Sequence, residues 1–79
     1  MELTVLKPIF AEAASQLVHN ASQFSGNVLI KKEQWVVDGK SLLGVLALSL
    51  QPEQKIEITY DGHEENFYDT LLALELFKK

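Results

Sequence analysis

Lys40-Ser41-Leu42-Leu43-Gly44-Val45-Leu46-Ala47-Leu48 is the most informative stretch of this chain. A serine stands before a short apolar run, and its side-chain oxygen can accept from free N–H groups in the first turn of a helix. The pattern predicts a short helix over residues 42–48 with Ser41 as N-cap. Leu42 and Leu46 are four apart and share a face, and Leu43 and Leu46 are three apart on the neighbouring stripe. Asp38-Gly39 breaks a strand on one side, and Gln51-Pro52-Glu53-Gln54 makes a loop on the other.

The flanking segments extend this pattern outward. Lys55-Ile56-Glu57-Ile58-Thr59-Tyr60 alternates, with Ile56, Ile58 and Tyr60 inward. Upstream, Val28-Leu29-Ile30-Lys31 and Gln34-Trp35-Val36-Val37 read as an antiparallel hairpin turning at Lys32-Glu33. Trp35 reads as a packing residue of that hairpin rather than a stacking platform. Glu2-Leu3-Thr4-Val5-Leu6 is an opening strand ended by Pro8. A first helix runs over residues 11–22, its stripe made by Ala14, Leu17, Val18, Ala21 and Phe24. A last helix is predicted over residues 64–77, acidic at its start and closed by Lys78-Lys79, as the helix dipole favours.

The order is β-α-β-β-α-β-α, an α+β open-faced sandwich. Four antiparallel strands carry three helices on one face, in a single domain over residues 1–79. Leu3, Val5, Val28, Ile30, Ile56 and Ile58 should face the helices.

Apolar residues make up 47% of the 79, too many for a disordered chain. No cysteine is present, which excludes disulfides and thiolate metal sites and suits a reducing cytosol. Net charge is −4, and the seven basic residues are all lysine. Nucleic acid and anionic membranes are therefore not expected partners. No apolar run is long enough to span a bilayer, and the first residues do not form a secretion signal. The expected location is the cytoplasm.

Three blocks carry a family resemblance. Ala13-Ala14-Ser15-Gln16-Leu17-Val18, Lys40-Ser41-Leu42-Leu43-Gly44-Val45-Leu46 and Gly62-His63-Glu64-Glu65 occur in that order, in a chain of suitable length. Together they resemble the HPr-like family of the bacterial sugar phosphotransferase system, which includes the phosphocarriers and the catabolite-repression relatives called Crh. The resemblance implies the HPr-type open-faced sandwich. It also implies a phosphoryl-accepting histidine and an assisting arginine in the phosphocarrier signature. Pro8-Ile9-Phe10-Ala11-Glu12-Ala13-Ala14 occupies that stretch here. Phe10 falls on the histidine and Glu12 on the arginine. Phosphoryl transfer needs a nucleophile and positive charge, and this pair supplies neither.

Other residues are candidates for chemistry. Ser41 serves as a cap, and the resemblance also makes it a candidate regulatory phosphorylation site. Leu42, Val45 and Leu46 can be core, whereas the resemblance implies that apolar residues of this helix dock partners. Phe10, Lys40, Leu42, Leu43 and Leu46 are thus the candidate partner-binding set, with Phe10, Leu43 and Leu46 expected to be partly exposed and adjacent beside Ser41. His19 and His63 lack companions at metal spacing. Asp61, Glu64 and Glu65 suit a helix start better than a calcium site. No cofactor, metal or enzymatic activity is implied, since no nucleophile–base pair is visible.

The expectation is an HPr-like, non-phosphocarrier regulatory or adaptor protein, monomeric or weakly dimeric. Its partner would be a regulator, a kinase or an enzyme. The alternative is a small binding module with an unrelated ligand or partner on the same scaffold.

Overall fold

The computed structural model describes all 79 residues, Met1–Lys79. Its elements are β1 (Glu2–Val5), α1 (Glu12–Ser22), β2 (Val28–Lys32), β3 (Trp35–Asp38), α2 (Leu42–Ala47), β4 (Lys55–Tyr60), α3 (Phe67–Leu72) and β5 (Phe77–Lys78). The class is α+β: an open antiparallel sheet of order β3-β2-β4-β1-β5, with three helices.

The alternation read from the sequence decides which side of the sheet is buried. Leu3, Val5, Val28, Ile30, Ile56 and Ile58 are all buried, in one cluster with Ala14, Leu17 and Ala21 of α1, Val45 of α2 and Phe67 and Leu71 of α3. Their neighbours Glu2, Leu29, Lys31, Glu57 and Thr59 face water. Pairing Ile30 with Ile58 and Leu3 with Ile56 keeps every apolar partner on the helix side, since a slip of one residue would turn each strand inside out.

Two elements differ from the sequence reading. The hairpin turns at Glu33-Gln34 rather than Lys32-Glu33, because Lys32 pairs with Trp35. Glu33 takes a positive φ of 57°, the kind of left-handed residue that a two-residue hairpin turn needs. The last helix is much shorter than residues 64–77. It spans Phe67–Leu72, and Glu75 then reverses the chain at φ 61°. Phe77 and Lys78 form β5, which pairs with Val5 and Thr4. Lys78 and Lys79 therefore do not complement a helix dipole. The stretch after Leu71 has the composition of a helix. The free edge of β1, with room for Leu76 and Phe77 in the core, overrides that propensity.

In α1, Ala14, Leu17 and Ala21 are buried as the stripe requires, and Phe24 just beyond the helix completes it. Val18 is only half-buried, and Asn20 takes a buried place the sequence reading did not give it. Its amide Nδ2 has no hydrogen-bond partner.

Three polar clasps join the layers. Lys32 Nζ donates to Leu48 O at the end of α2 (2.9 Å), and Lys40 Nζ donates to Phe24 O and Gly26 O beyond the end of α1 (2.7 Å each). A cation suits both places, which lie at or just beyond helix C-termini, where the dipole is negative. The third clasp links the turn after α1 to the turn after β4. Asp61 accepts from the Asn27 backbone N–H (2.6 Å) and side-chain amide (3.1 Å). Glu64 accepts from Ser25 N–H and Oγ (3.2 and 3.1 Å). Gly26 makes this join possible: its φ is 100°, and a Cβ there would lie 2.7 Å from Gly62 Cα.

Candidate functional site

The site is built where the chain leaves β1 and enters α1. Ile9 is buried and its N–H donates to Leu50 O (3.0 Å), so the entry is pinned to the chain leaving α2. Phe10 comes next and turns outward, 67% exposed. Its carbonyl accepts from Ala13 N–H at the start of the helix (3.2 Å). Ala11, the N-cap, sits at φ 53° and ψ −122°, a region that residues with a Cβ rarely adopt. Its side chain offers no cap, and Glu12 brings an acidic group to the first turn. A carboxylate there favours the helix dipole. It also places a negative charge at the mouth of α1.

Helix α2 supplies the second half. Ser41 is its N-cap at φ −106° and ψ 115°, and Oγ accepts from Gly44 N–H (3.1 Å). Val45 and Leu48, three apart, turn into the core, and Leu46 packs partly against it. Burying that side forces the other outward: Leu42 is 41% exposed and Leu43 80%. Gly44 lets the helix lie close to β3, since a Cβ there would stand 3.3 Å from Val37 Cβ.

The two helices pack together. The start of α1 lies beside the chain leaving α2, through Ile9 and Leu50. The end of α1 lies beside the chain entering α2, through Lys40. Phe10, which follows Ile9, thus lies toward the end of α2 that leads to Leu50, while Leu43 lies at its other end, toward Ser41. Lys40 has two of its three N–H groups engaged within the fold.

The histidines are elsewhere. His19 is exposed in the last turn of α1, 3.5 Å from the Gln23 amide, and His63 is exposed in the turn after β4. The Asp61 carboxyl is held below the usual carboxylate range, first by the Asn27 backbone N–H, then by the Asn27 side chain, with a small contribution from His63. No three His, Asp or Glu side chains are grouped to hold a metal ion.

Trp35 does not pack as the sequence reading expected. It is 62% exposed, because β3 is an edge strand. With Lys32, Val37, Ala47, Leu48, Ser49 and others it lines an open groove of about 500 Å³. Sequence alone gave β3 no edge position, so this surface was not anticipated.

Fold and surface define a small α+β domain whose exposed large apolar residues include Phe10 before α1, Leu42 and Leu43 on α2, and Trp35 and Val36 on β3. A family model described as "PTS HPr component phosphorylation site" matches residues 6–75. The chain therefore belongs to the HPr family. The phosphocarrier protein HPr of Lysinibacillus sphaericus is 33% identical over 67 residues, 82% of this chain and 76% of that protein. The one from Xylella fastidiosa is 32% identical over 79 residues, 98% of this chain and 88% of that protein. Among solved structures, a phosphocarrier protein HPr from Bacillus anthracis superposes with a TM-score of 0.79 at 26% identity, covering 94% of this chain and 88% of that one. HPr-C-His from Thermoanaerobacter tengcongensis gives 0.81 at 25% identity, covering 94% and 84%. No helix of the chain is long and apolar enough to cross a membrane.

Proposed function

We propose that this chain is an HPr-family regulatory or adaptor domain that does not carry phosphoryl groups. It acts through protein contacts around Phe10 and the Ser41 helix. The observation that carries this reading is Phe10: an exposed aromatic side chain at the mouth of α1, where the family's signature places a phosphoryl-accepting histidine. Phenylalanine has no lone pair to attack phosphorus. Glu12 adds negative charge where phosphate oxygens would need positive charge. An exposed aromatic, on a domain that also exposes Leu42 and Leu43 on α2, instead suits an anchor for a partner surface, because such residues often dominate binding energy. The partner is a protein, either a regulator, a kinase or an enzyme. Lys40 contributes its remaining N–H at the rim. Ser41 is the regulatory position: a phosphate there would add charge at the edge of the patch and replace the bond to Gly44 N–H.

The relatives' name favours a second reading, that of a phosphocarrier. One experiment separates the two. The protein is incubated with the phosphotransferase system's first enzyme and labelled phosphoenolpyruvate. The proposed function expects no acid-labile label. Stoichiometric label at His19 or His63 would establish the phosphocarrier instead. Partner capture from the source cell should then drop at least about tenfold for Phe10→Ala, as for other aromatic anchors.

A further inference from the structure

We propose that the free edge of β3 is a self-association surface whose occupant is the β3 strand of a second copy of this chain, paired antiparallel about a two-fold axis at Val36. This surface uses none of the residues of the proposed partner patch. The register follows from the backbone. Gly39 N–H donates to Val28 O (2.7 Å), and Ile30 pairs with Val37 and Lys32 with Trp35. In an antiparallel ladder the bonded pairs alternate, so Trp35, Val37 and Gly39 spend their backbone groups on β2. The N–H and C=O of Val36 and the N–H of Asp38 point the other way, off the edge of the sheet. Val36 and Trp35 are also exposed, one on each face of the strand. Natural edges carry charge, proline or a cover against this kind of pairing, and β3 has only Asp38, at its end, while Trp35-Val36-Val37 has none.

Self-complementarity selects a second copy over an unrelated peptide. Centring the pair on Val36 lets each Val36 exchange two hydrogen bonds with its counterpart, and brings each Asp38 N–H to the Gln34 carbonyl of the other copy. Each Trp35 then lies opposite the second copy's Val37, on the helix side of the sheet. That is the side of the groove formed by Val37, Ala47 and Leu48, so each copy offers one aromatic side chain and one apolar groove to receive it. No like charges face each other along the strand. An isologous contact of this kind closes on itself as a dimer. Residues 34–38 of each copy bury less than a stable dimer needs, so the dissociation constant should be roughly millimolar.

Trp35 is the only tryptophan, so its emission reports on this edge alone. Sedimentation velocity and tryptophan emission are measured together from about 0.01 to about 2 mM, a range that brackets the expected constant. Mass should rise toward twice the monomer while emission moves to shorter wavelength with the same midpoint. Val36→Pro removes an N–H that β2 does not use, and should abolish both changes while the circular dichroism spectrum is kept. If that variant loses the native spectrum, Val36→Lys places a charge on the same edge and is read in its place. A monomer at about 2 mM overturns the proposal. So does a dimer that leaves Trp35 emission unchanged, or one that survives the Val36 variant.

Discussion

Phe10 and Phe67 show how little the identity of a side chain says about its energetic weight. Phe67 is fully buried, stacked on Tyr60 at 4.2 Å and edge-on to Phe24 at 5.1 Å. Phe67→Ala should cost about 3–5 kcal/mol of unfolding free energy in urea titrations. Phe10→Ala should cost no more than about 0.5 kcal/mol, because little of that ring leaves water on folding. A loss for Phe10→Ala comparable with that for Phe67→Ala would mean that the ring closes a core and is not a partner anchor. The residue after Phe10 holds strain. Gly tolerates φ 53°, ψ −122°, whereas Ala11 is held there at a cost of about 1–3 kcal/mol. Ala11→Gly relieves that strain and gives back somewhat less in unfolded-chain entropy. The net expectation is a gain of roughly 1 kcal/mol, read as a higher urea midpoint with an unchanged slope. If Ala11→Gly lowers the midpoint, the backbone at the mouth of α1 relaxes in solution.

At the scale of elements, short helices are held by groups outside them. The six-residue α2 buries only Val45 fully, so Ser41 at one end and Lys32 at the other carry much of its definition. The clasp between the turns after α1 and β4 has a pH signature. Asp61 is depressed below its usual value near 3.8 by hydrogen bonds from Asn27 that favour the carboxylate. A carboxyl with a depressed folded pKa adds stability above its unfolded pKa. That stability is lost as pH falls through the folded value. Wild type should therefore lose more stability than Asp61→Asn as the pH falls below about 4, with the two responding alike above about 5. Urea midpoints measured across that range check it. Parallel curves for the two proteins would show that the clasp is broken in solution.

For the whole molecule, β5 determines how the sheet ends. Phe77 is buried and pairs with Val5, so the last residues belong to the core although they look like the tail of a helix. Phe77→Ala should cost about 3–5 kcal/mol, a large share of the ~5–15 kcal/mol that holds a domain of this kind. A change within about 0.5 kcal/mol, typical of a frayed helix end, would remove β5 from the solution structure.

The sequence by itself determined the inward set of β1, β2 and β4, most of the stripe of α1, the Ser41 cap and the family. Each of these depends on spacing within a few residues or on short blocks in order, which the linear chain displays directly. Only the tertiary structure decided the rest. Phe77 left a helical composition for a strand because β1 had a free edge to fill. Trp35 became exposed because β3 lies last in the sheet order. Ile9 was buried and Phe10 turned outward because Leu50, 41 positions away, holds the Ile9 N–H. Those outcomes turn on which distant segments become neighbours, and a local pattern carries no record of its neighbours.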